Sequence, residues 1–281
     1  VRGHERFARG FAARAEAEAQ WLRAAGARVV VADVAPLGCA AARRAGIPSL
    51  VVGNFGWDAL LRPWAKGRPA LSAALEQYGA AYAEALAVRL PLHAGIEAFV
   101  RRVDAGHAVR PRRRARSEIR RALGLADGAR PLLLVSLGAA DLRALGVREV
   151  DAGDALVVAW APPPPGTRSP WKVLEGEAKG THPELLASAD AVLAKPGYGT
   201  VAEALVYRTR FLALPRPGWP ETAPLCEGLA RGGCSAALAG DDFVSGRWRP
   251  ALEALLARPR PRRGAPAGGA ARVAELALAH L

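Results

Sequence analysis

The chain has 281 residues, 51% of them apolar, with 39 basic against 26 acidic side chains and a formal charge of +13. That apolar content gives a sizeable core and excludes a chain disordered throughout, and no apolar run approaches the ~18 residues of a membrane span. Four of the basic residues are lysines and the rest arginines, in a background heavy in Ala, Gly and Pro, so the charge reads as solvated arginine and not as a nucleic-acid surface. It still suits anionic ligands, or peripheral contact with an anionic membrane. Cys39, Cys226 and Cys234 form an odd set without C-x-x-C spacing, which reads as reduced thiols of a cytoplasmic protein. No His, Cys and carboxylate cluster has ligand spacing, so neither a metal nor a cofactor is expected.

In chain order, residues 7–25 read as a helix stopped by Gly26, and 28–32 as a short strand of the kind buried in a parallel sheet. Asp33 closes that strand. It either caps the next helix or, at a strand's carboxyl end, faces a ligand. Residues 37–44 form a helix ended by Gly46, and 49–52 the next strand. In the loop Gly53-Asn-Phe-Gly-Trp-Asp58, Phe55 and Trp57 are core packing or sugar-stacking faces, and Asp58 is a candidate base. A helical stretch covers 70–87.

Arg110-Pro-Arg-Arg-Arg-Ala-Arg116 is the densest charge run. It is a polyanion-binding patch, or a solvated linker into a helix with Ser117 as N-cap and Gly124 as stop. The position suits a domain boundary, giving domains 1–114 and 115–281. The chain lacks methionine and opens at Val1 with no strand before its first helix, so the first domain is expected to be incomplete.

A second βα alternation follows. Strands are expected at 132–135, 155–160, 171–174, 191–194 and 211–214, and helices at 182–189, 200–207, 223–230, 248–257 and 270–280. Residues 215–222 are too proline-rich to be regular.

The most informative segment is Ala191-Val-Leu-Ala-Lys-Pro-Gly-Tyr-Gly-Thr-Val-Ala-Glu-Ala-Leu205. It reads as a strand, a tight loop with Gly197 and Gly199, and a helix begun by a Thr200–Glu203 capping box. Such a helix start presents unpaired N–H groups and the positive end of a dipole, and glycine lets an anion come close. An ordinary βα turn has the same pattern.

Val29-Val-Val-Ala-Asp-Val-Ala-Pro-Leu-Gly-Cys-Ala-Ala-Ala42, Asn54-Phe-Gly-Trp-Asp58 and Lys195-Pro-Gly-Tyr-Gly-Thr-Val-Ala-Glu-Ala-Leu205 occur in the same order in the glycosyltransferase-like N-terminal half of L-arabinokinases, which the chain resembles over most of residues 20–255. More distantly it is similar to GT-B glycosyltransferases such as the N-acetylglucosaminyltransferase that makes lipid II. The resemblance implies an α/β fold of two Rossmann-like domains (GT-B type) facing across a cleft, with a nucleotide-sugar donor bound mainly by the C-terminal one. On that reading Lys195, Gly197, Tyr198, Gly199 and Thr200 lie beside the donor diphosphate, Gly138 serves the same end, Glu203 matches the acid on the ribose hydroxyls, and Glu221 faces the donor sugar. Asp33 matches an aspartate that orients a catalytic histidine.

Two departures stand out. The Gly-rich loop with a histidine near the relatives' N-terminus has no counterpart, since His4 precedes a helix, and Gly138 is followed by Ala139-Ala140 where relatives tend to have paired glycines. The expectation is an inverting, metal-independent glycosyltransferase with an unknown hydroxyl acceptor. The alternatives are a nucleotide-sugar-binding module without turnover and, behind it, a sugar-nucleotide epimerase.

Overall fold

The computed structural model describes residues 2–96, 99–125, 130–137, 142–175 and 181–281. The chain divides into two compact units, Val1–Ala108 with Ala267–Leu281, and Val109–Pro266. This differs from a division at 114/115. The arginine run belongs wholly to the second unit, and the C-terminal segment to the first. The physical tie is a bridge between His107 and Ala267, with the Gly269 amide donating to the His107 carbonyl at 3.2 Å. Gly269 is required there, because a Cβ would lie 2.3 Å from the Gly106 carbonyl oxygen.

The first unit opens with helices α1 (Arg2–Ala8) and α2 (Phe11–Ala24). Then come β1 (Val30–Asp33), α3 (Pro36–Ala45), β2 (Ser49–Gly53), α4 (Trp57–Leu61), α5 (Pro69–Tyr82), β3 (Leu86–Arg89) and β4 (Arg101–Asp104). The four strands pair in parallel in the order β1-β2-β3-β4. Proline opens α3 at its first turn, and Gly46 closes it at φ 73, the conformation glycine adopts without strain. The helix expected over 70–87 stops at Tyr82, because Ala87 and Val88 are fully buried as part of β3. The core gathers around Tyr78, Tyr82 and Phe99, the last two with ring centroids 4.6 Å apart.

The second unit holds α6 (Arg116–Ala122), β5 (Leu132–Ser136), β6 (Leu156–Ala159), β7 (Trp171–Val173), α7 (His182–Ser188), β8 (Ala191–Ala194), α8 (Tyr198–Tyr207) and β9 (Arg210–Ala213). It closes with α9 (Thr222–Arg231), β10 (Ser235–Ala237), α10 (Gly240–Val244) and α11 (Arg249–Leu256), while α12 (Gly269–Leu278) returns to the first unit. All six strands are parallel, in the order β7-β6-β5-β8-β9-β10. Strand β8 is buried at every position, as its unbroken apolar run requires in a sheet covered on both faces. Fully buried Trp248 anchors the far end, stacked on Phe243 at 5.8 Å and donating its indole N–H to the Phe243 carbonyl at 3.1 Å.

The run 110–116 was expected to be a polyanion-binding patch or a solvated linker leading into a helix with Ser117 as N-cap. Instead α6 is capped at Ala115, whose amide donates to Glu118 at 2.6 Å, and Arg110, Arg114, Arg116 and Arg120 are all ion-paired.

Gly246 sits at φ 71, and a Cβ there would fall 2.0 Å from the Glu149 carbonyl oxygen, beside the Asp151–Arg247 bridge. Gly246→Ala is therefore expected to lower stability by about 2 kcal/mol or more in urea unfolding, since it adds strain and a backbone clash. An unchanged midpoint counts against the packing described.

Candidate functional site

In the second unit, chain connections run to one side from β5 through β6 to β7, and to the other side from β8 through β9 to β10. The reversal lies between the paired strands β5 and β8. In open parallel sheets the loops after such a pair diverge, leaving a crevice at the carboxyl ends where ligands bind. Ser136 ends β5, residue 138 and the three after it lie outside the described residues (Gly138 with them), and Lys195 follows β8.

Helix α8 begins at Tyr198, two residues before the expected start. Its N-cap is Gly197, with φ −122 and no side-chain cap, so the Thr200–Glu203 capping box does not form. Neither loop glycine needs a left-handed backbone. Gly199 occupies the second helical position, where glycine costs about 0.5–1 kcal/mol relative to alanine. A Cβ on Gly199 would meet no protein atom within 4 Å, and one on Gly197 only the Lys195 carbonyl oxygen at 4.0 Å. The helix start is thus bare: an uncapped N-terminus, two positions without side chains, and half-buried Lys195, Tyr198 and Thr200 around it.

Glu203 has another task than capping. It is 2% exposed, and Arg110 grips it with both prongs, Nε to Oε1 at 2.7 Å and Nη2 to Oε2 at 3.1 Å. His182 Nδ1 lies 3.2 Å from Glu203 Oε2 and 2.9 Å from Arg110 Nη2. A proton on Nδ1 satisfies the carboxylate, and Nε2, 2.9 Å from Ser136 Oγ, is left to accept the hydroxyl. Burial alone would raise the Glu203 pKa. The hydrogen bonds and charges of His182 and Arg110 outweigh it and hold the carboxyl below its ordinary range. The His182 ring also lies flat on Trp160, with centroids 5.8 Å apart at 16°.

Ser136, Trp160 and His182 were not singled out as site residues in the sequence, and Arg110 figured there only as part of the charge run. A signal was available for His182. Thr181 and Glu184 have capping-box spacing around Pro183, and they do form that box, with the Thr181 amide donating to Glu184 at 2.9 Å. That amide, then Arg114 and the Arg113 amide, hold the Glu184 carboxyl down at about 2.

On the third side stands the loop before α9. Glu221, expected as an exposed acid or a sugar contact, is buried and accepts the Trp219 indole N–H at 3.0 Å. Arg216 stacks on Trp219 at 4.9 Å and reaches toward the Pro196 carbonyl at 3.5 Å, while its buried Nε has no hydrogen-bond partner among the described residues.

The first unit's two candidates part company. Asp33 is exposed at the carboxyl end of β1 and does not cap α3, whose N-cap is Ala35. The next residue, Val34, takes φ 41, rare for a β-branched side chain, and the Tyr82 hydroxyl holds its carbonyl at 2.7 Å. Asp58 is 4% exposed, lies 3.8 Å from Arg62, and lines a cavity of about 420 Å³ with Arg62 and Glu76. Phe55 and Trp57 meet edge to face at 5.0 Å and pack on the core, and Trp57 also packs on His4, which sits within α1. Among the described residues no group of three or more His, Cys, Asp or Glu side chains is placed to hold a metal ion, and no helix is long and apolar enough to cross a membrane.

Two parallel α/β units, the second with its strand reversal beside a bare helix start, define the GT-B class of glycosyltransferase fold. The chain is similar to the calicheamicin glycosyltransferase (TM-score 0.59, 22% identity, covering 92% of this chain and 77% of that one). It is also similar to the glycosyltransferase VinC, solved in complex with DTDP (TM-score 0.57, 20% identity, 99% and 74%). At these identities the fold is what is shared. In sequence it is 30% identical over 243 residues to L-arabinokinase of Arabidopsis thaliana, covering 85% of this chain and 23% of that protein, so it spans about a quarter of that relative's length. No protein-family model matches.

Two outcomes follow. Gly199→Ala is expected to raise the melting temperature, gaining about 0.5–1 kcal/mol, because helix propensity improves and nothing is struck. Glu184 has a folded pKa of about 2 against 4.5 ordinarily, so its contribution is present above 4.5 and fades as pH falls toward 2. Acid unfolding of Glu184→Gln should lack that part of the pH dependence, and an identical profile rules out the assigned role.

Proposed function

We propose that the chain binds a nucleoside-diphosphate sugar at the carboxyl end of the second unit's sheet and transfers the sugar to a hydroxyl acceptor. The observation that carries the reading is the open α8 N-terminus, where Gly199 sacrifices helix stability and leaves vacant the space a Cβ would fill. A ten-residue helix without a side-chain cap directs its first-turn amides and its dipole's positive end at that space, which suits a diphosphate. Lys195, and Arg216 with its unpartnered Nε, add charge-assisted donors.

In the transfer the leaving diphosphate gains negative charge as the glycosidic bond breaks, and donors fixed in advance stabilise that charge most. We assign this work to the helix amides and Lys195, without a metal ion, and inversion at the anomeric carbon follows the family resemblance. Glu203 is assigned an orienting role in place of ribose binding: its oxygens are taken by Arg110 and His182, which leaves His182, Ser136 and the exposed face of Trp160 to meet the nucleoside. On the acceptor side Asp58 is the better candidate base than Asp33, since it lines a cavity.

Isothermal titration with UDP and with dTDP tests the donor site. Gly199→Val should weaken the preferred diphosphate at least about tenfold, equal to ~1.4 kcal/mol, while the fold stays intact by circular dichroism. Unchanged affinity in that variant removes the site from the α8 terminus. Turnover of radiolabelled sugar nucleotides separates the transferase from a binding module, which would hold the donor without transfer or hydrolysis.

A further inference from the structure

At the opposite end of the second unit's sheet lies a cavity of about 860 Å³, unrelated to the crevice after β5 and β8. Pro131, Asp190 and Arg210 on its wall stand at the amino ends of β5, β8 and β9, and the four residues of β8 separate Asp190 from Lys195 by ~16 Å of strand. Five guanidiniums, of Arg112, Arg116, Arg120, Arg130 and Arg210, face the single carboxylate of Asp190.

Part of this arginine is structural. Arg116 and Arg120 hold Asp190 at 2.6 and 3.0 Å, and Arg116 also donates to the Ser188 and Ala189 carbonyls behind α7. Arg210 donates to the Leu256 and Arg258 carbonyls. Folding does not account for the rest. Arg112 and Arg130 have no carboxylate partner among the described residues, and Arg112 only leans over the Tyr207 ring at 6.0 Å. A further guanidinium, Arg260, shares Asp190 at 3.3 Å. Burial and the neighbouring charges of Arg116, Arg210 and Arg208 lower its pKa to about 10 despite that partner. Cations are thus crowded beyond what one carboxylate neutralises, an arrangement that like-charge repulsion disfavours unless an anion enters.

We propose that this cavity is a second anion site, which takes a compact polyphosphorylated molecule. Its volume lies within the ~300–1,000 Å³ typical of small-ligand sites. Arginine forks match phosphate oxygens two at a time, and several forks around one concavity select for adjacent phosphates over a lone one. The inference does not rest on the donor reading, because the two sites lie at opposite ends of the same strands.

The test is titration calorimetry with inorganic tripolyphosphate on the full chain carrying Gly199→Val, so that binding at the α8 terminus is suppressed. Adding Arg112→Ala and Arg130→Ala, both on exposed side chains, should weaken tripolyphosphate at least about tenfold without lowering the melting temperature. In the chain with Gly199 intact, the same pair should leave dTDP or UDP affinity unaltered. Equal tripolyphosphate affinity with and without the arginine pair overturns the proposal. So does loss of co-sedimentation with phosphatidylglycerol vesicles in the pair variant when tripolyphosphate fails to bind, since the partner is then a lipid surface. Failure of Gly199→Val to affect dTDP or UDP affects only the donor reading.

Discussion

The reversal of strand order between β5 and β8 is the constraint from which the second unit's chemistry follows. Parallel strands in hydrogen-bonded register send their carboxyl ends the same way, and when connections diverge from a central pair no helix covers the gap between them. Everything assembled there comes from that gap's rim: Ser136 from the end of β5, His182 from the start of α7, and Gly197 to Thr200 from the start of α8. Glu203, one turn inside α8, ties these parts together through His182 and is itself fixed by Arg110. The geometry is preorganised by an ion pair in which a buried carboxylate has both oxygens taken by Arg110 and His182 while the arginine keeps contact with solvent.

Much of this was legible in the sequence, for identifiable reasons. Strand β8 was visible because a fully buried parallel strand must be continuously apolar, and α8 because Pro-Gly punctuation precedes an alanine-rich helical period. The helix start was misplaced because Thr200 and Glu203 have the spacing of a capping box while the Glu203 carboxylate is taken by Arg110 and His182. A spacing motif reports local competence, and a bidentate arginine offered the buried Glu203 a stronger partner than a backbone amide. The same blindness affected Arg110–Arg116. Charge density reads as solvation when partners lie 70 or more residues away, as Glu184 and Glu203 do. Strands β3, β4 and β10 escaped notice because they are three or four residues long and carry alanine, arginine or serine at positions where an apolar run would have shown them.

The two ends of the second unit's sheet use positive charge differently. At the carboxyl ends it is delivered largely by backbone dipoles at a bare helix terminus, with few side chains involved. At the amino ends it is delivered by guanidiniums anchored on Asp190 and on the carbonyls behind α7. Dipoles suit a ligand whose charge changes during a reaction, since they need no reorganisation. Anchored guanidiniums suit a ligand held without change.

The return of the final helix to the first unit bears on how the molecule is made. Residues 109–266 form a continuous stretch, whereas the other unit needs residues 267–281 as well as 1–108. The second unit can therefore fold from one uninterrupted stretch, whereas the first is completed only when residues 267–281 join it. Until then the seat of α12, with the His107 carbonyl that receives the Gly269 amide, stands open to chaperones.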